Sequence, residues 1–192
     1  MKDSLLFFYN FVRHPKSTGA VFPSSRRLAE KMIDGAGLET ATSVVELGPG
    51  TGAFTGAIAE RLEDPGIYLG IELREKFAAI VKDKFPQLLV VNDSAEKIVE
   101  NLRKIDREKA EAIISGLPWA AFDADLQKRI MKSVTAALAP GGKFSTFTYL
   151  HARRLPAGKR FRALLDDNFS DVQTSKTVWR NLPPAFVYHC TK

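Results

Sequence analysis

Residues 46–52 read ELGPGTG, an acidic residue followed by a turn that contains three glycines. The run 43–45 in front of it is short and β-branched, while Phe54, Ile58 and Leu62 behind it recur at the spacing of a helix. This pattern predicts a strand, a tight glycine turn and a helix. Glycine lets the backbone approach a ligand where a Cβ would clash, and a helix N-terminus points unpaired N–H groups at that ligand. The segment therefore predicts a site for a nucleotide-like ligand.

Polar residues also stand at the ends of the next predicted strands. Glu72 closes the second strand, 67–73, and lies twenty residues after Gly52, a spacing at which a carboxylate accepts hydrogen bonds from both ribose hydroxyls. Asp93 follows the third strand, and the motif SGLPW at 115–119 follows the fourth. Ligands of open parallel sheets bind at these carboxyl ends. The glycine spacing differs from the G-x-G-x-x-G pattern, which argues against a dinucleotide.

The elements that must position these residues follow an alternating order. Further strands are predicted at 88–92, 112–115 and 143–150, helices around 77–85, 98–102 and 123–138, and a closing hairpin from two strands at 172–179 and 185–190. Such alternation predicts an α/β fold with a mostly parallel sheet and helices on both faces. We expect one domain, residues 41–192, behind an N-terminal helical attachment, residues 1–40.

Charge and cysteine content narrow the choice of partners. The net charge of +6 over 192 residues favours an anionic partner, either nucleic acid or an anionic membrane surface. One cysteine, Cys190, and three scattered histidines predict neither a disulfide framework nor a metal site. No segment approaches the ~20 apolar residues of a membrane span. These features predict a cytoplasmic, metal-free protein.

The motifs taken together resemble a known family. VVELGPGTGAFT, with Glu72, Asp93 and the closing hairpin, resembles the class I S-adenosylmethionine-dependent methyltransferases, whose fold is Rossmann-like with seven strands and an antiparallel last strand. More narrowly, GAVFPSSRRLAEKM, SGLPW, APGGKFSTFTY and VWRNLPPAFVY are similar to the bacterial phospholipid N-methyltransferases that methylate phosphatidylethanolamine. The chain resembles the rRNA adenine dimethylases more distantly.

The resemblance implies S-adenosylmethionine as the cofactor. Its implied contacts lie in the glycine turn and at the neighbouring strand ends: Glu46, Gly48, Pro49, Gly50, Thr51, Gly52, Glu72, Leu73, Asp93, Ser94, Ser115 and Gly116. Two of them have plainer alternatives. Glu72 could be a solvated carboxylate at the start of a helix, and Asp93 could cap the helix that begins near Ser94.

Two aromatic residues are the candidate catalytic groups. Tyr149, at the end of the fifth strand, is predicted to orient the acceptor amine, and Trp119 to form an aromatic wall that holds methylated ammonium products by cation–π attraction. For Trp119 the alternative is a core residue beside a Gly-Pro turn, and for Tyr149 it is packing. Adenine N-methyltransferases carry Asn or Asp first and Tyr or Phe last in the related motif, whereas this chain has Ser115 and Trp119.

Substrate-binding residues are predicted near both ends of the chain. Arg180, with Asn181 beside it, could hold a lipid phosphate through its planar fork, or the loop could be a turn stabilised by Pro183 and Pro184. An aromatic and apolar helix face near the N-terminus precedes Arg13 and Lys16; it consists of Leu5, Phe8, Tyr9 and Val12, with Phe7 and Phe11 beside it. This pattern predicts an interfacial membrane helix over residues 4–16 or, alternatively, a helix that covers the core.

Three functional hypotheses follow. The first is an N-methyltransferase that acts on phosphatidylethanolamine-type lipids while peripherally bound to an anionic membrane surface. The second is an RNA or DNA adenine N-methyltransferase, which the positive charge and SGLPW favour, although rRNA dimethylases carry a helical domain after the sheet and this sequence ends at the hairpin. The third is an inactive membrane-surface binding protein, against which the intact Glu46, Glu72 and Asp93 argue.

Overall fold

The computed structural model describes residues 25–192, and all structural statements below concern this part of the chain. As far as residue 149, helices and strands alternate along it in the predicted order. The bounds are α1 Arg26–Ile33, β1 Val44–Leu47, α2 Thr55–Ala59, β2 Tyr68–Glu72, α3 Glu75–Lys84, β3 Leu89–Asn92, α4 Ile98–Arg103, β4 Ala110–Ser115, α5 Ala124–Ala137, β5 Leu138–Tyr149, α6 Pro156–Asn168, β6 Asp171–Thr174 and β7 Ala185–Thr191.

The strands form one seven-stranded sheet in the order β3-β2-β1-β4-β5-β7-β6. Strands β1 to β5 pair in parallel, and β7 runs antiparallel to both β5 and β6. The prediction of a mostly parallel sheet with an antiparallel last strand is thus confirmed. Because β1 pairs with β2 on one side and β4 on the other, the chain reverses its direction of growth at β1. This is the switch point at which open α/β sheets bind ligands.

Both faces of the sheet are covered by a hydrophobic cluster, as the alternation of elements predicted. Helices α4, α5 and α6 pack on one face, with Ile98, Met131 and Phe161 fully buried there. Helices α1, α2 and α3 pack on the other face, where α1 contributes Leu28 and Met32. Parallel strands buried on both faces must be apolar throughout, which explains the unbroken apolar runs of the sequence.

The described part of the N-terminal attachment packs directly against the sheet. Ser25 caps α1, because its hydroxyl accepts a hydrogen bond from the backbone N–H of Leu28 at 3.3 Å. The buried side chains of α1 belong to the same cluster as Val44 of β1 and Val187 of β7. The division of the chain at residue 40 stays a prediction, and residues 1–24 lie outside the described part.

The region after β5 differs from the sequence prediction. Helix α6 was not predicted, although Pro156 at its first turn and the buried Phe161 and Leu165 are helix signals. Strand β5 begins at Leu138 rather than at the predicted residue 143, because Leu138 pairs with Ala110 ahead of a register shift.

The closing hairpin is shorter and its loop longer than predicted. Strand β6 ends at Thr174 rather than near residue 179, and beyond it only Val178 bridges to Ala185. The helix predicted from Phe54, Ile58 and Leu62 is also shorter, since α2 ends at Ala59. No helix within residues 25–192 has the length and apolar character needed to cross a membrane.

Candidate active site

The glycine turn adopts a backbone that side chains rarely allow. Gly48, Gly50 and Gly52 have φ of 68°, 59° and 89°, all in the left-handed region. A Cβ on Gly48 would lie 2.7 Å from Cδ2 of Leu117, so the position also lacks space for one. The three glycines are therefore required by the turn itself, and without Cβ atoms they let a ligand approach the turn closely.

The ends of β1 and β4 meet without side chains between them. The backbone N–H of Gly116 donates to the carbonyl of Leu47 at 2.8 Å, and a Cβ on Gly116 would lie 2.8 Å from the carbonyl oxygen of Gly48. Backbone atoms cannot move away as a flexible side chain can. The switch point is thus lined by peptide groups, as expected where a ligand is gripped closely.

Glu72 lies beside the glycine turn at the end of β2. Its Oε2 accepts a hydrogen bond from the N–H of Gly50 at 3.0 Å, and its Oε1 accepts one from the N–H of Arg74 at 2.9 Å. Burial raises the pKa of this carboxyl, and the hydrogen bonds from Arg74 and Gly50 oppose that rise. A carboxylate offers about four lone-pair positions, so acceptor capacity remains for two hydroxyls. The residue is buried rather than solvated.

Glu46 lies beneath the turn, fully buried. Its Oε2 accepts hydrogen bonds from the Tyr68 hydroxyl at 2.6 Å and the Thr55 hydroxyl at 2.8 Å. Its Oε1 is buried without a hydrogen-bond partner in the described part of the chain. Burial raises the pKa of Glu46 to about 7, although the two hydrogen bonds lower it. Repulsion from Glu72 adds to the rise. Glu46 therefore ties β1, α2 and β2 together, and its contact with a cofactor stays a prediction.

Asp93 holds the start of the segment after β3, but the capping residue of the short helix there is Ser94. Its Oδ1 accepts from the N–H of Ser94 at 2.8 Å and its Oδ2 from Nδ2 of Asn101 at 3.1 Å. Together with the ion pair to Lys97, these bonds hold the pKa of Asp93 below its usual range. The Ser94 hydroxyl accepts from the N–H of Glu96 and caps the short helix Ala95–Lys97. A further hydrogen bond from Asp93 to adenine stays a prediction.

Leu73 continues this edge as an exposed apolar side chain. It follows Glu72 directly and is 57% exposed. Leucine side chains are usually buried, but Leu73 belongs to neither of the two hydrophobic clusters of the fold. An apolar side chain next to a hydroxyl-binding carboxylate suits a ligand that carries a flat ring beside a ribose.

Trp119 does not line an open site and is corrected to a core residue. It is 1% exposed and stacks on Phe161 with ring centroids 4.6 Å apart, and Phe122 and Phe144 meet it edge to face. Its indole N–H donates to the Ser115 hydroxyl at 3.0 Å. The Ser115 side chain is thereby occupied by the core as well. The alternative of a core tryptophan beside a Gly-Pro turn fits this placement.

Tyr149 ends a row of aromatic rings that starts at the glycine turn. Phe54, just after the turn, meets Phe147 edge to face at 5.6 Å, Phe147 meets Tyr149 at 5.5 Å, and Tyr149 stacks on His151 at 5.8 Å. Burial raises the pKa of Tyr149, so its hydroxyl stays protonated. Within residues 25–192 that hydroxyl makes no hydrogen bond. Its role in orienting an amine stays a prediction.

The sequence analysis did not single out Phe147 or the partners of Glu46. For Phe147 a signal existed, because it stands two residues before Tyr149 and shares its face of β5. Thr55 and Tyr68 reach Glu46 only through the packing of α2 and β2 on β1. No local pattern announces such a contact.

Asn181 holds the hairpin loop and the start of α1 together. Its Oδ1 accepts from the N–H of Ser25 at 3.0 Å, and its Nδ2 donates to the carbonyl of Pro183 at 2.7 Å. Its buried amide is therefore engaged within the protein, as the turn alternative expected, whereas Arg180 is exposed. Substrate binding by either residue stays a prediction. Arg13 and Lys16, and the predicted helix over 4–16, lie outside the described residues.

The remaining reactive groups of residues 25–192 form no second constellation. Cys190 is buried, and burial raises the pKa of its thiol to about 12, which disfavours the reactive thiolate. Nδ1 of His189 lies 2.9 Å from the Ser145 hydroxyl oxygen, and burial lowers the pKa of this histidine. Across residues 25–192 no group of three or more His, Cys, Asp or Glu side chains is arranged to hold a metal ion.

A glycine turn at the switch point of a 3-2-1-4-5-7-6 sheet, with a buried carboxylate after β2, defines the class I methyltransferases that use S-adenosylmethionine. Comparison with known proteins agrees, because a family model described as "Methyltransferase domain" matches residues 44–142. The chain belongs to this methyltransferase family, and its resemblance to lipid N-methyltransferases is confirmed.

Three relatives illustrate the range. An ornithine lipid N-methyltransferase from Singulisphaera acidiphila is 32% identical over 194 residues, covering 99% of this chain and 96% of that protein. A ribosomal RNA small subunit methyltransferase A from Alkaliphilus oremlandii is 29% identical over 133 residues, covering 66% of this chain but 44% of that protein. Among solved structures, an O-methyltransferase from Bacillus cereus in complex with SAH has a TM-score of 0.68 at 13% identity, covering 100% of this chain and 90% of that one.

The residues present fit S-adenosylmethionine, which is the cofactor. The glycine turn, which carries no Cβ at three positions, suits close contact with a ligand, Glu72 suits ribose hydroxyls and Leu73 suits a ring. Two carboxylates near the turn also suit a ligand that carries a sulfonium and an ammonium charge. When bound, this cofactor supplies an electrophilic methyl group.

Proposed function

We propose that the protein is an N-methyltransferase that acts on the primary amine of phosphatidylethanolamine-type lipids, cytoplasmic and peripherally bound to an anionic membrane surface. The observation that carries the proposal is the match to an ornithine lipid N-methyltransferase, which extends over nearly the whole of both chains. That relative is named for methylation of a nitrogen on a lipid. The net charge of +6 supports an anionic surface as the place of action.

The chain's own residues would serve such a reaction mainly by alignment. The acceptor nitrogen must be uncharged and in line with the methyl group, so orientation and exclusion of water are the principal contributions of the site. Tyr149 supports this role, because its protonated hydroxyl can accept a hydrogen bond from an amine and lies along the aromatic row from the glycine turn. Its raised pKa makes it an orienting group rather than the base that removes the amine proton.

Arg180 is the proposed phosphate contact. It is exposed on the loop between β6 and β7, which lies at the carboxyl edge because Ala185 pairs with Tyr149. A guanidinium binds a phosphate through two parallel hydrogen bonds. Asn181 would act by fixing the loop that carries Arg180.

An RNA substrate is the second candidate, favoured by the match to the ribosomal RNA methyltransferase. That match leaves more than half of the relative uncovered, whereas the lipid relative is covered almost completely. The lipid proposal therefore accounts for more of the chain.

Methyl transfer from labelled S-adenosylmethionine tests the acceptor. The protein is incubated separately with vesicles of phosphatidylethanolamine and phosphatidylglycerol, with vesicles in which ornithine lipid replaces phosphatidylethanolamine, and with ribosomal RNA. We expect label in the phosphatidylethanolamine fraction. Label in ornithine lipid alone would mean that ornithine lipid, and not phosphatidylethanolamine, is the acceptor. Label in RNA alone would overturn the lipid proposal. Tyr149→Phe is the matched variant, expected to lose transfer while still binding the cofactor.

A further inference from the structure

The loop between β6 and β7, residues 175–184, carries two large apolar side chains in solvent. Trp179 is 68% exposed and Leu182 is 61% exposed. Neither belongs to either hydrophobic cluster of the described residues. A tryptophan left in water forgoes a large hydrophobic contribution, and exposed apolar side chains grouped on one loop are typical of an interaction surface.

The loop is held in place by the protein rather than by these two side chains. The N–H of Val178 donates to the carbonyl of Ala185 at 2.7 Å, and the N–H of Asn181 donates to the carbonyl of Val178 at 3.2 Å. The buried Asn181 side chain fastens the loop to Ser25. The exposed pair is therefore presented by a fixed scaffold, which lowers the entropy lost when a partner binds.

Basic side chains lie beside Trp179, the first of the two exposed residues. A groove of about 470 Å³ beside Trp179 is lined by Arg27, Lys31, Lys176 and Arg180, with Glu30 as its acidic residue. Glu30 pairs with Arg26 at 3.4 Å, and Lys31 pairs with Asp34 at 3.2 Å. Within residues 25–192, Arg27, Lys176 and Arg180 form no ion pair. Their charge is complementary to an anionic surface.

We propose that residues 175–184, together with Arg27 and Lys31, form a docking surface for an anionic phospholipid bilayer, with Trp179 and Leu182 inserted among the headgroups. Apolar anchors flanked by basic residues are the combination that interfacial binding requires. Because the loop lies at the carboxyl edge of the sheet, docking turns the glycine turn and Tyr149 toward the lipid. The proposal rests on the proposed lipid substrate and assigns a surface to it that differs from the predicted helix over residues 4–16.

The tryptophan content of the chain makes the proposal directly measurable. The sequence has two tryptophans, and Trp119 is sealed in the core. Vesicles of equimolar phosphatidylglycerol and phosphatidylcholine should therefore shift the emission of Trp179 to shorter wavelength, and brominated acyl chains should quench it. Trp179→Phe is the matched control, since it keeps an aromatic anchor and leaves only Trp119, which should neither shift nor be quenched. An unquenched wild type, or equal quenching by pure phosphatidylcholine vesicles, would overturn the docking surface.

Substitutions test the contribution of the anchors. Trp179→Ser with Leu182→Ser should reduce partition onto the anionic vesicles at least tenfold. The control is Leu89→Ser, which removes a 44% exposed leucine at the amino end of β3, the opposite edge of the sheet, and should change nothing. Equal loss in both variants would point to a general loss of apolar surface instead.

Charge is tested in the same way. Lys176→Gln with Arg180→Gln should weaken partition by about fivefold for each charge. Lys128→Gln with Lys132→Gln changes the net charge equally on the exposed side of α5 and should have little effect. If both pairs of substitutions weakened partition onto the vesicles to a similar extent, the net charge of the protein alone would explain binding, and a localised docking surface would be overturned.

Methylation assays separate this surface from the proposed function. The Trp179→Ser, Leu182→Ser variant should lose transfer to vesicles and keep transfer to a short-chain phosphatidylethanolamine below its critical micelle concentration. Quenching of Trp179 without any lipid methylation would support the docking surface and overturn the proposed lipid acceptor. Lipid methylation with Trp179 unquenched would keep the function and reject the surface.

Discussion

The carboxylate of Glu72 accepts a hydrogen bond from the backbone N–H of Gly50, with Oε2 and N 3.0 Å apart. The two residues lie 22 positions apart and meet because β1 and β2 are paired in parallel. Glu72 therefore holds the conformation of the glycine turn, and we propose that its remaining acceptor positions bind the ribose of the cofactor. Loss of its side chain should disturb both.

Replacement of Glu72 by alanine should weaken S-adenosylmethionine binding at least tenfold. A hydrogen bond to a charged group contributes about 1.5–3 kcal/mol, and tenfold in affinity corresponds to about 1.4 kcal/mol. Isothermal titration calorimetry of the folded variant measures the loss. Glu75→Ala, which removes an exposed carboxylate from the first turn of α3, is the control and should bind normally. Unchanged affinity in Glu72→Ala would remove Glu72 from the ribose site.

The stability of the protein should fall as pH rises, in the range set by Glu46. Its pKa is about 7 in the folded state against 4.5 for an unperturbed glutamate, so the folded state binds an extra proton between these values. The stability linked to that proton is fully present below about pH 4.5 and is lost as pH rises through about 7. The total loss is on the order of 3 kcal/mol.

Glu46→Gln isolates this effect. Its amide oxygen can still accept from Tyr68 and Thr55, and its contribution does not change with pH. Denaturant unfolding at pH 5, 6, 7 and 8 should show the wild type losing stability relative to Glu46→Gln as pH increases. A constant difference across that range would mean that Glu46 titrates near its ordinary pKa.

The parts of the site that the sequence predicts correctly are those set by local spacing. The glycines at 48, 50 and 52 and the carboxylate twenty residues further on belong to one βαβ unit, so strand and helix lengths fix where Glu72 must lie. The alternation of apolar runs likewise predicts the sheet and its covered faces. Such features can be predicted because each segment must pair its backbone hydrogen-bonding groups and bury its own apolar face.

The parts that the sequence does not predict depend on contacts across the fold. Whether Trp119 faces a ligand or the core is decided by Phe161 on α6, a helix that was not predicted from the sequence. The raised pKa of Glu46 depends on burial under the turn, which no spacing states. The sequence pattern places Trp179 in a predicted strand, yet β6 ends at Thr174 and Trp179 lies exposed on the loop that follows.

Truncation of Trp119 to alanine should destabilise the protein by about 3–5 kcal/mol, the usual cost of removing a buried large aromatic side chain. It would leave a cavity against Phe161 and Phe144 and would deprive Ser115 of its indole donor. Thermal unfolding should show a lowered melting temperature with or without cofactor. Trp179→Ala is the matched control, and because that tryptophan is exposed its melting temperature should hardly change. A stable Trp119→Ala that loses only catalysis would return Trp119 to the substrate site.

Replacement of Tyr149 by phenylalanine should reduce turnover while leaving cofactor affinity and melting temperature nearly unchanged. The ring keeps its edge-to-face contact with Phe147 and its stacking on His151, and only the hydroxyl is removed. Since that hydroxyl makes no hydrogen bond within residues 25–192, its loss leaves no buried partner unpaired. A missing orienting hydrogen bond should lower kcat about tenfold or more, measured as transfer of labelled methyl groups to phosphatidylethanolamine. Phe147→Leu is the contrasting variant, because it disturbs the aromatic row and should lower stability as well. Normal turnover in Tyr149→Phe would show that Tyr149 only packs.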